Sequence, residues 1–193
     1  MLLACDTGGP PLVGGWVLDR GVAGALLADL GTQGRLKCVA GIRVVITDHA
    51  STGHPFLDEV LEEIAGSPVS RLPTDWVEEL ASLDWADRLG AARFPAASLP
   101  QATPRPRADI AGRLAQVFMP GFEPDPQTAA LAALVFACGM SATLFPSVNR
   151  RARKRRLAEL CAGQGWATAV REVIRAATAK ETAIDLLGLI LGG

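Results

Sequence analysis

The sequence predicts a mainly α-helical single domain over residues 1–193, with a small β-hairpin after the first helix. Apolar residues recur at helical spacing in most segments of the chain. They make up 49% of the residues, which is enough to build a sizeable core. Because no internal repeat and no break in composition marks a boundary, one domain is expected.

The first helix is predicted over 16–30, where apolar residues share one face. Gly21 and Gly24 lower its intrinsic propensity but allow a neighbouring helix to approach closely. Gly31 is expected to end the helix in the left-handed conformation that glycine adopts readily.

Two short strands follow. The stretches RLKCVAG (35–41) and IRVVITD (42–48) are predicted to be two strands joined at Ala40-Gly41, which indicates a β-hairpin. The segment 95–106 carries four prolines and no periodicity, so a loop is expected there. Further helices are predicted over 55–65, 74–83 with Thr74 as N-cap, from about 84, 108–118, 128–145 ended by Pro146, from Pro146 or Ser147 to about 161, 166–179 and 183–193.

The most apolar stretch, TAALAALVFACGMSATLF at 128–145, approaches the length of a membrane span. It is rich in Ala and includes Ser, Thr and Gly, which favours a helix surrounded by other helices in a bundle. The four cysteines have no CxxC spacing, which indicates a reducing compartment. We therefore expect a cytoplasmic protein.

The charges are unevenly distributed, although the net charge is only −1. The segment 57–87 contains nine acidic residues and one basic residue, whereas 150–175 contains eight basic and two acidic residues. Such polarity suits an anionic partner at one end of the molecule, or contacts between subunits.

The densest positive charge lies in RRARKRR (150–156), where six of seven residues are basic. Cations near the start of a helix oppose the helix dipole and repel one another, so this run carries an energetic cost. Three interpretations remain open: a solvated, solubilising turn; a contact with an anionic membrane surface; or a contact with nucleic acid or an acidic protein. Nucleic acid is disfavoured because neither interleaved aromatic residues nor a recognition helix is evident.

Residues for catalysis or metal binding are sparse. His49 and His54 flank a loop near acidic residues, but a loop pair without a rigid element to hold it is more typical of solvated side chains. The acids of LDEVLEE (57–63) fit the exposed face of an amphipathic helix. No nucleophile, metal or phosphate-loop motif is present, so we expect no catalytic residue, metal or cofactor.

Four stretches, taken in order, resemble the Golgi phosphoprotein 3 family and its bacterial relatives. They are GVAGALLADLGTQGRL (21–36), STGHPFLDEVLEEI (51–64), TDWVEELA (74–81), and DPQTAALAALVFACGMSATLF followed by the basic helix (125–160). The resemblance implies a mainly helical domain and a peripheral membrane role. Eukaryotic members of the family bind phosphatidylinositol 4-phosphate on Golgi membranes and hold the tails of glycosyltransferases.

The family's headgroup pocket uses a Trp before the first helix, an Arg within that helix and two Arg entering the middle helix. Trp16 can serve as the first of these residues, although the register set by Gly31, Gly34 and Arg35 displaces it by about two positions. The helix Arg falls on Ala23, so Arg20, one turn earlier, is the substitute that the resemblance implies. The paired Arg positions fall near Leu83 and Ala86, where the nearest cation is Arg88, and 95–106 replaces a family hairpin associated with self-association.

The resemblance therefore implies a looser affinity for anionic lipid rather than an intact phosphoinositide site. The predicted headgroup-binding residues are Trp16, Arg20, Arg88 and Arg93, and the predicted membrane-electrostatic residues are Arg150, Arg151, Arg153, Lys154, Arg155 and Arg156. The expected partner is the anionic phospholipid surface on the inner face of the membrane. Two alternatives stay open: a protein client held by the acidic helices of 57–87, and an enzyme or accessory protein with a small-molecule cleft.

Overall fold

The computed structural model describes residues 12–39, 43–83 and 105–191, with the backbone alone for 105–107 and 181–191. It confirms a mainly α-helical fold with a hairpin after the first helix. The loop predicted over 95–106 and the helix from about 84 lie largely outside the described residues. The bounds are α1 (Gly15–Thr32), β1 (Leu36–Val39), β2 (Arg43–Ile46), α2 (Pro55–Gly66), α3 (Pro73–Ala81), α4 (Arg105–Ala115), a 3-10 turn (Gln116–Phe118), α5 (Pro126–Ala137), α6 (Ser141–Leu144), α7 (Arg150–Ala162) and α8 (Gly165–Leu191).

Helix α1 lies at the centre of the bundle. It packs against α2, α3, α5, α8 and β1, and α5 in turn packs against α7 and α8. A helix with neighbours on several sides needs apolar residues around much of its circumference. Those buried in α1 are Val22, Ala23, Gly24, Leu26, Leu27, Ala28 and Leu30.

Glycines allow α1 to approach its neighbours closely, as the sequence predicted. A Cβ atom on Gly21 would lie 2.8 Å from Cys138 Sγ. One on Gly24 would clash with Val170 of α8 and would lie 2.9 Å from Leu134 Cδ2 of α5. Since real Cβ atoms essentially never come this near to another atom, both positions require glycine for the observed helix spacing.

The end of α1 differs from the prediction. Gly34, not Gly31, has the positive φ of +72° that terminates the helix. Two hydrogen bonds close this end, from Arg35 N to Leu30 O at 2.9 Å and from Gly34 N to Gly31 O at 3.0 Å. Gly31 instead lies within α1, where a Cβ would be 2.8 Å from Trp166 Nε1.

The hairpin strands pair antiparallel, with Leu36 opposite Ile46. The segment between α2 and α3 covers the outer edge of β2, because Val44 N donates to Arg71 O at 3.1 Å and Ser70 Oγ donates to Val44 O at 3.3 Å. The edge strand is thereby shielded from pairing with another chain.

The prediction of one helix over 128–145 is wrong. The run divides into α5 and α6 at Gly139, whose φ is +74°. Met140 N donates to Val135 O at 3.0 Å, which completes the same glycine-terminated end that closes α1. In the parts of the chain that the structure describes, no helix has the length and apolar character required to cross a bilayer.

Three other boundaries differ from the predictions. Helix α3 begins at Pro73, and Thr74 is not its cap: the Asp75 carboxylate accepts from Leu72 N at 3.2 Å instead. The predicted helix over 108–118 is α4 followed by the 3-10 turn. The separate helices predicted over 166–179 and 183–193 are one helix, α8, because the polar residues between them include no Gly or Pro to interrupt it.

Candidate functional site

The basic run lies at the start of α7, which begins after Asn149. The Asn149 side-chain oxygen accepts from Arg151 N at 2.9 Å and from Ala152 N at 3.3 Å, a normal N-cap. Arg150 and Arg151 therefore occupy the first two helical positions, and the first turn contains no acidic residue. These cations meet the positive end of the helix dipole, which costs about 0.3–1 kcal/mol each.

Two members of the run point toward the protein. Arg153 Nη1 donates to Phe145 O at 2.7 Å and to Val148 O at 3.1 Å, at the end of α6. Arg156 donates through Nε to Val117 O at 3.1 Å and through Nη2 to Phe122 O at 2.8 Å. The carbonyls belong to segments that precede α7 in the chain, so these guanidinium groups anchor α7 to those segments.

The other four cations of α7, Arg150, Arg151, Lys154 and Arg155, are exposed. Arg155 has Glu159 as a neighbour at 3.9 Å, a weak pair because the arginine side chain is 81% exposed. Among the residues that the structure describes, no carboxylate forms an ion pair with Arg150, Arg151 or Lys154. The run therefore separates into two structural and four outward cations.

Helical periodicity predicts part of this division between inward and outward cations. Leu157 and Cys161 are buried and define the inner face of α7. Arg153 precedes Leu157 by four residues, so helical periodicity places it on the same face. Periodicity cannot show the carbonyls that Arg153 and Arg156 meet, because these belong to other segments.

Trp16 and Arg20, predicted as headgroup residues, form one cluster on α1. The Arg20 guanidinium carbon lies 5.4 Å from the centre of the Trp16 ring, and Nη1 donates to Trp16 O at 2.9 Å. Arg20 Nη2 also donates to Glu78 Oε2 of α3 at 2.5 Å, a contact that the sequence analysis missed. It joins residues 58 positions apart, so no local pattern could have indicated it.

The remaining headgroup residues predicted from the sequence, Arg88 and Arg93, lie outside the described residues. The Trp16–Arg20 cluster and the α7 cations are not joined by any hydrogen bond, ion pair or ring contact among the described side chains. Helix α5 packs against both α1 and α7, the two helices that carry these groups of residues.

An acidic cavity of about 370 Å³ lies between α2 and α3. Arg71 is the basic residue in its lining; its guanidinium lies 5.2 Å from the Trp76 ring and its Nη1 lies 3.1 Å from Glu79 Oε2. Trp76 itself is 2% exposed, as expected of a core residue. The lining residues are Glu59, Glu62, Glu63, Gly66, Ser67, Pro68, Arg71 and Trp76.

The loop before α2 is held by the Asp58 carboxylate. This group accepts from Ser51 Oγ, Thr52 N and Thr52 Oγ1, each at 2.6 Å, and these hydrogen bonds lower the pKa of Asp58. Arg35 supports the same loop by pairing with Asp48 and by donating to Ser51 O at 3.1 Å. The polar residues of this stretch thus have a structural role.

Across 12–39, 43–83 and 105–180, no three His, Cys, Asp or Glu side chains are grouped so that they could hold a metal ion. The His54 ring lies 5.9 Å from that of Phe56, at the start of α2.

Comparison with known proteins identifies the family. No curated protein matches the chain. The sequence pattern of the family described as Golgi phosphoprotein 3 matches residues 1–177, which is most of the 193-residue chain and includes the Trp16–Arg20 cluster and the α7 cations. With its helical bundle and hairpin, the chain belongs to the Golgi phosphoprotein 3 family.

Proposed function

We propose that this protein is a peripheral membrane protein that binds anionic phospholipid headgroups. The observation that carries the proposal is the outward set of α7: Arg150, Arg151, Lys154 and Arg155 are exposed, and the first turn of α7 has no acidic residue to offset them. Four neighbouring cations are costly at a helix N-terminus, and an anionic surface compensates that cost.

The electrostatic attraction of the four outward α7 cations to an anionic leaflet is strong enough for reversible binding. A Lys or Arg near an anionic leaflet contributes about 1 kcal/mol, so four contribute about 4 kcal/mol. This attraction acts over about 8–10 Å at physiological salt and weakens as salt is added. The α7 cations would then bring the protein to the surface, while Trp16 and Arg20 would contact individual headgroups.

Vesicle flotation tests the proposal. Neutral vesicles, anionic vesicles and anionic vesicles with added phosphatidylinositol 4-phosphate would be compared at low and physiological salt. The test variant replaces the four outward α7 cations with Gln. The control replaces four exposed cations elsewhere with Gln, so that the net charge changes equally; these are Lys37, Arg43, Arg175 and Lys180.

We expect flotation with anionic vesicles, a decrease with salt, and loss of binding in the α7 variant alone. Equal flotation of the two variants with anionic vesicles would show that binding depends on net charge and not on the position of the α7 cations. Equally weak flotation with neutral and anionic vesicles would refute the proposal. The other anionic lipid is reduced in the phosphoinositide vesicles so that both anionic vesicles have equal charge density. Additional binding with the phosphoinositide would then indicate recognition of a headgroup, since the vesicles differ only in headgroup chemistry.

The acidic cavity favours a second candidate, a protein client with a positively charged segment. Glu62 and Glu63 line the cavity, and the buried Trp76 indole beside it provides a fluorescence signal. Titration with a short peptide rich in Lys and Arg should change this fluorescence in a salt-dependent way, and replacing both glutamates with Gln should weaken the effect. An unchanged titration in that variant would exclude the cavity as the binding site.

A further inference from the structure

We propose that Glu78 is a built-in competitor for the anion site at Trp16 and Arg20, so that a headgroup must displace the Glu78 carboxylate to bind. The inference rests on the proposed function and concerns the regulation of the same site. Its basis is the contact of 2.5 Å between Arg20 Nη2 and Glu78 Oε2. The carboxylate occupies the position that an anionic ligand of Arg20 would take.

Arg20 is held in place by its own helix. Its Nη1 bonds to the carbonyl of Trp16, four residues earlier, and its guanidinium faces the Trp16 ring. The Arg20 side chain is only 19% exposed, and its Nε is buried with no hydrogen-bond partner among the residues that the structure describes. An arginine with these contacts keeps its orientation when the ligand changes.

Glu78 is much freer to move. Its side chain is 48% exposed and comes from α3, a different element. Ion pairs with such exposure are weak, and an exposed side chain changes rotamer rapidly. A second anion can therefore replace Glu78 at Arg20 while the released carboxylate is hydrated at the surface.

The consequence is a site that is neutral when empty. Because Glu78 cancels the charge of Arg20, this site attracts a single dilute anion weakly. On an anionic surface the local headgroup concentration is high, and the exchange becomes favourable by mass action. The outward cations of α7 would supply this proximity, so binding at Arg20 would follow electrostatic docking.

The test is a double-mutant cycle in vesicle binding, with vesicles of neutral lipid and phosphatidylserine. Glu78→Gln, Arg20→Gln and the double variant would be compared with the native protein, and circular dichroism would check that each is folded. Glu79→Gln is the matched control, since it changes the net charge equally, one residue further along α3, and its carboxylate pairs with Arg71 instead.

We expect Glu78→Gln to raise vesicle affinity by about two- to fivefold, which lies within the range that removal of an exposed ion pair supports. Glu79→Gln should leave affinity within about twofold, and Glu78→Gln should have no effect when Arg20 is already Gln. Equal gains in Glu78→Gln and Glu79→Gln would overturn the inference, as would a gain that persists without Arg20.

The outcomes separate the inference from the proposed function. If binding depends on the α7 cations but does not respond to Glu78→Gln, the competitor role is refuted and the membrane function stands. If neither the native protein nor any variant binds anionic vesicles, the proposed function fails and the inference fails with it.

Discussion

The division of the basic run can be tested with two variants of equal charge. One replaces the inward pair, Arg153→Gln/Arg156→Gln, and the other replaces the outward pair, Arg151→Gln/Arg155→Gln. Both remove two positive charges from the same helix. We expect the inward variant to lose stability and retain vesicle binding, and the outward variant to lose vesicle binding and retain stability.

The expected loss in free energy of unfolding for the inward variant follows from the hydrogen bonds that it removes. Arg153 and Arg156 together donate four hydrogen bonds to carbonyls, at distances from 2.7 to 3.1 Å. A hydrogen bond that involves a charged group contributes about 1.5–3 kcal/mol when it is fully buried. Arg156 is 29% exposed and water can reach part of the site, so we take about 1–2 kcal/mol for each arginine and about 2–4 kcal/mol for the pair.

The outward pair has no comparable contacts. The Arg155–Glu159 pair is long and exposed, and Arg151 opposes the helix dipole, so their replacement should change the free energy of unfolding by no more than about 0.5 kcal/mol. For a chain of this size, a loss of 2–4 kcal/mol lowers the melting temperature by about 4–16 °C.

Urea unfolding followed by circular dichroism measures the stability, and flotation with anionic vesicles measures the binding. Similar unfolding midpoints in the two variants would refute the structural assignment of Arg153 and Arg156. Similar losses of vesicle binding, with both variants folded, would refute the assignment of the outward cations as the membrane contact.

Three further predictions concern the bundle. Gly24→Ala should destabilise the protein by about 1 kcal/mol in urea unfolding, since the new Cβ would clash with Val170. Gly112→Ala should stabilise it by up to about 1 kcal/mol, because no described atom beyond its immediate neighbours in the helix lies within 4 Å of the new Cβ. Changes of the same sign in the free energy of unfolding of both variants would contradict the packing argument. The pKa of Asp58 is lowered in the folded state, so the ionised carboxylate contributes to the free energy of unfolding above the ordinary pKa of 3.8, and this contribution is lost as pH falls through the folded pKa. The difference in free energy of unfolding between the native protein and Asp58→Asn should therefore decrease from pH 7 to pH 3. A constant difference would contradict the stabilising role of the Asp58 carboxylate. Burial raises the pKa of the Cys138 thiol to about 12, so little of the reactive thiolate forms at pH 8 in the folded protein. Mass spectrometry should therefore find Cys138 alkylated by iodoacetamide at pH 8 only after unfolding. Rapid labelling of Cys138 in the folded protein would contradict its burial.

The helices and the hairpin were predictable because their signals are local. Apolar residues at helical spacing indicate which face is buried, and the strands, paired from Leu36–Ile46 to Val39–Arg43, lie in the two stretches that the sequence predicted as a hairpin. Core positions followed in the same way: Trp76 and Trp166, which lie on helices predicted from the sequence, are 2% and 8% exposed.

The helix ends were less predictable, because several glycines compete for each role. Both Gly31 and Gly34 could terminate α1 by sequence alone. The packing of Trp166 against Gly31 requires a glycine inside the helix, which leaves Gly34 to adopt the positive φ. Gly139 was missed for a different reason: it is the single glycine of an apolar run without any charged residue to mark a boundary.

The sequence by itself determined the helical class, the hairpin, the apolar core and the concentration of positive charge at 150–156, since each depends on neighbouring residues. Only the tertiary structure decided which basic side chains have hydrogen-bond or ion-pair partners within the protein. Arg153 and Arg156 are structural because carbonyls of other segments lie within hydrogen-bond distance. Arg20 is neutralised because α3 places Glu78 beside it. Both outcomes depend on contacts between segments distant in sequence, and such contacts exist only once the helices have packed.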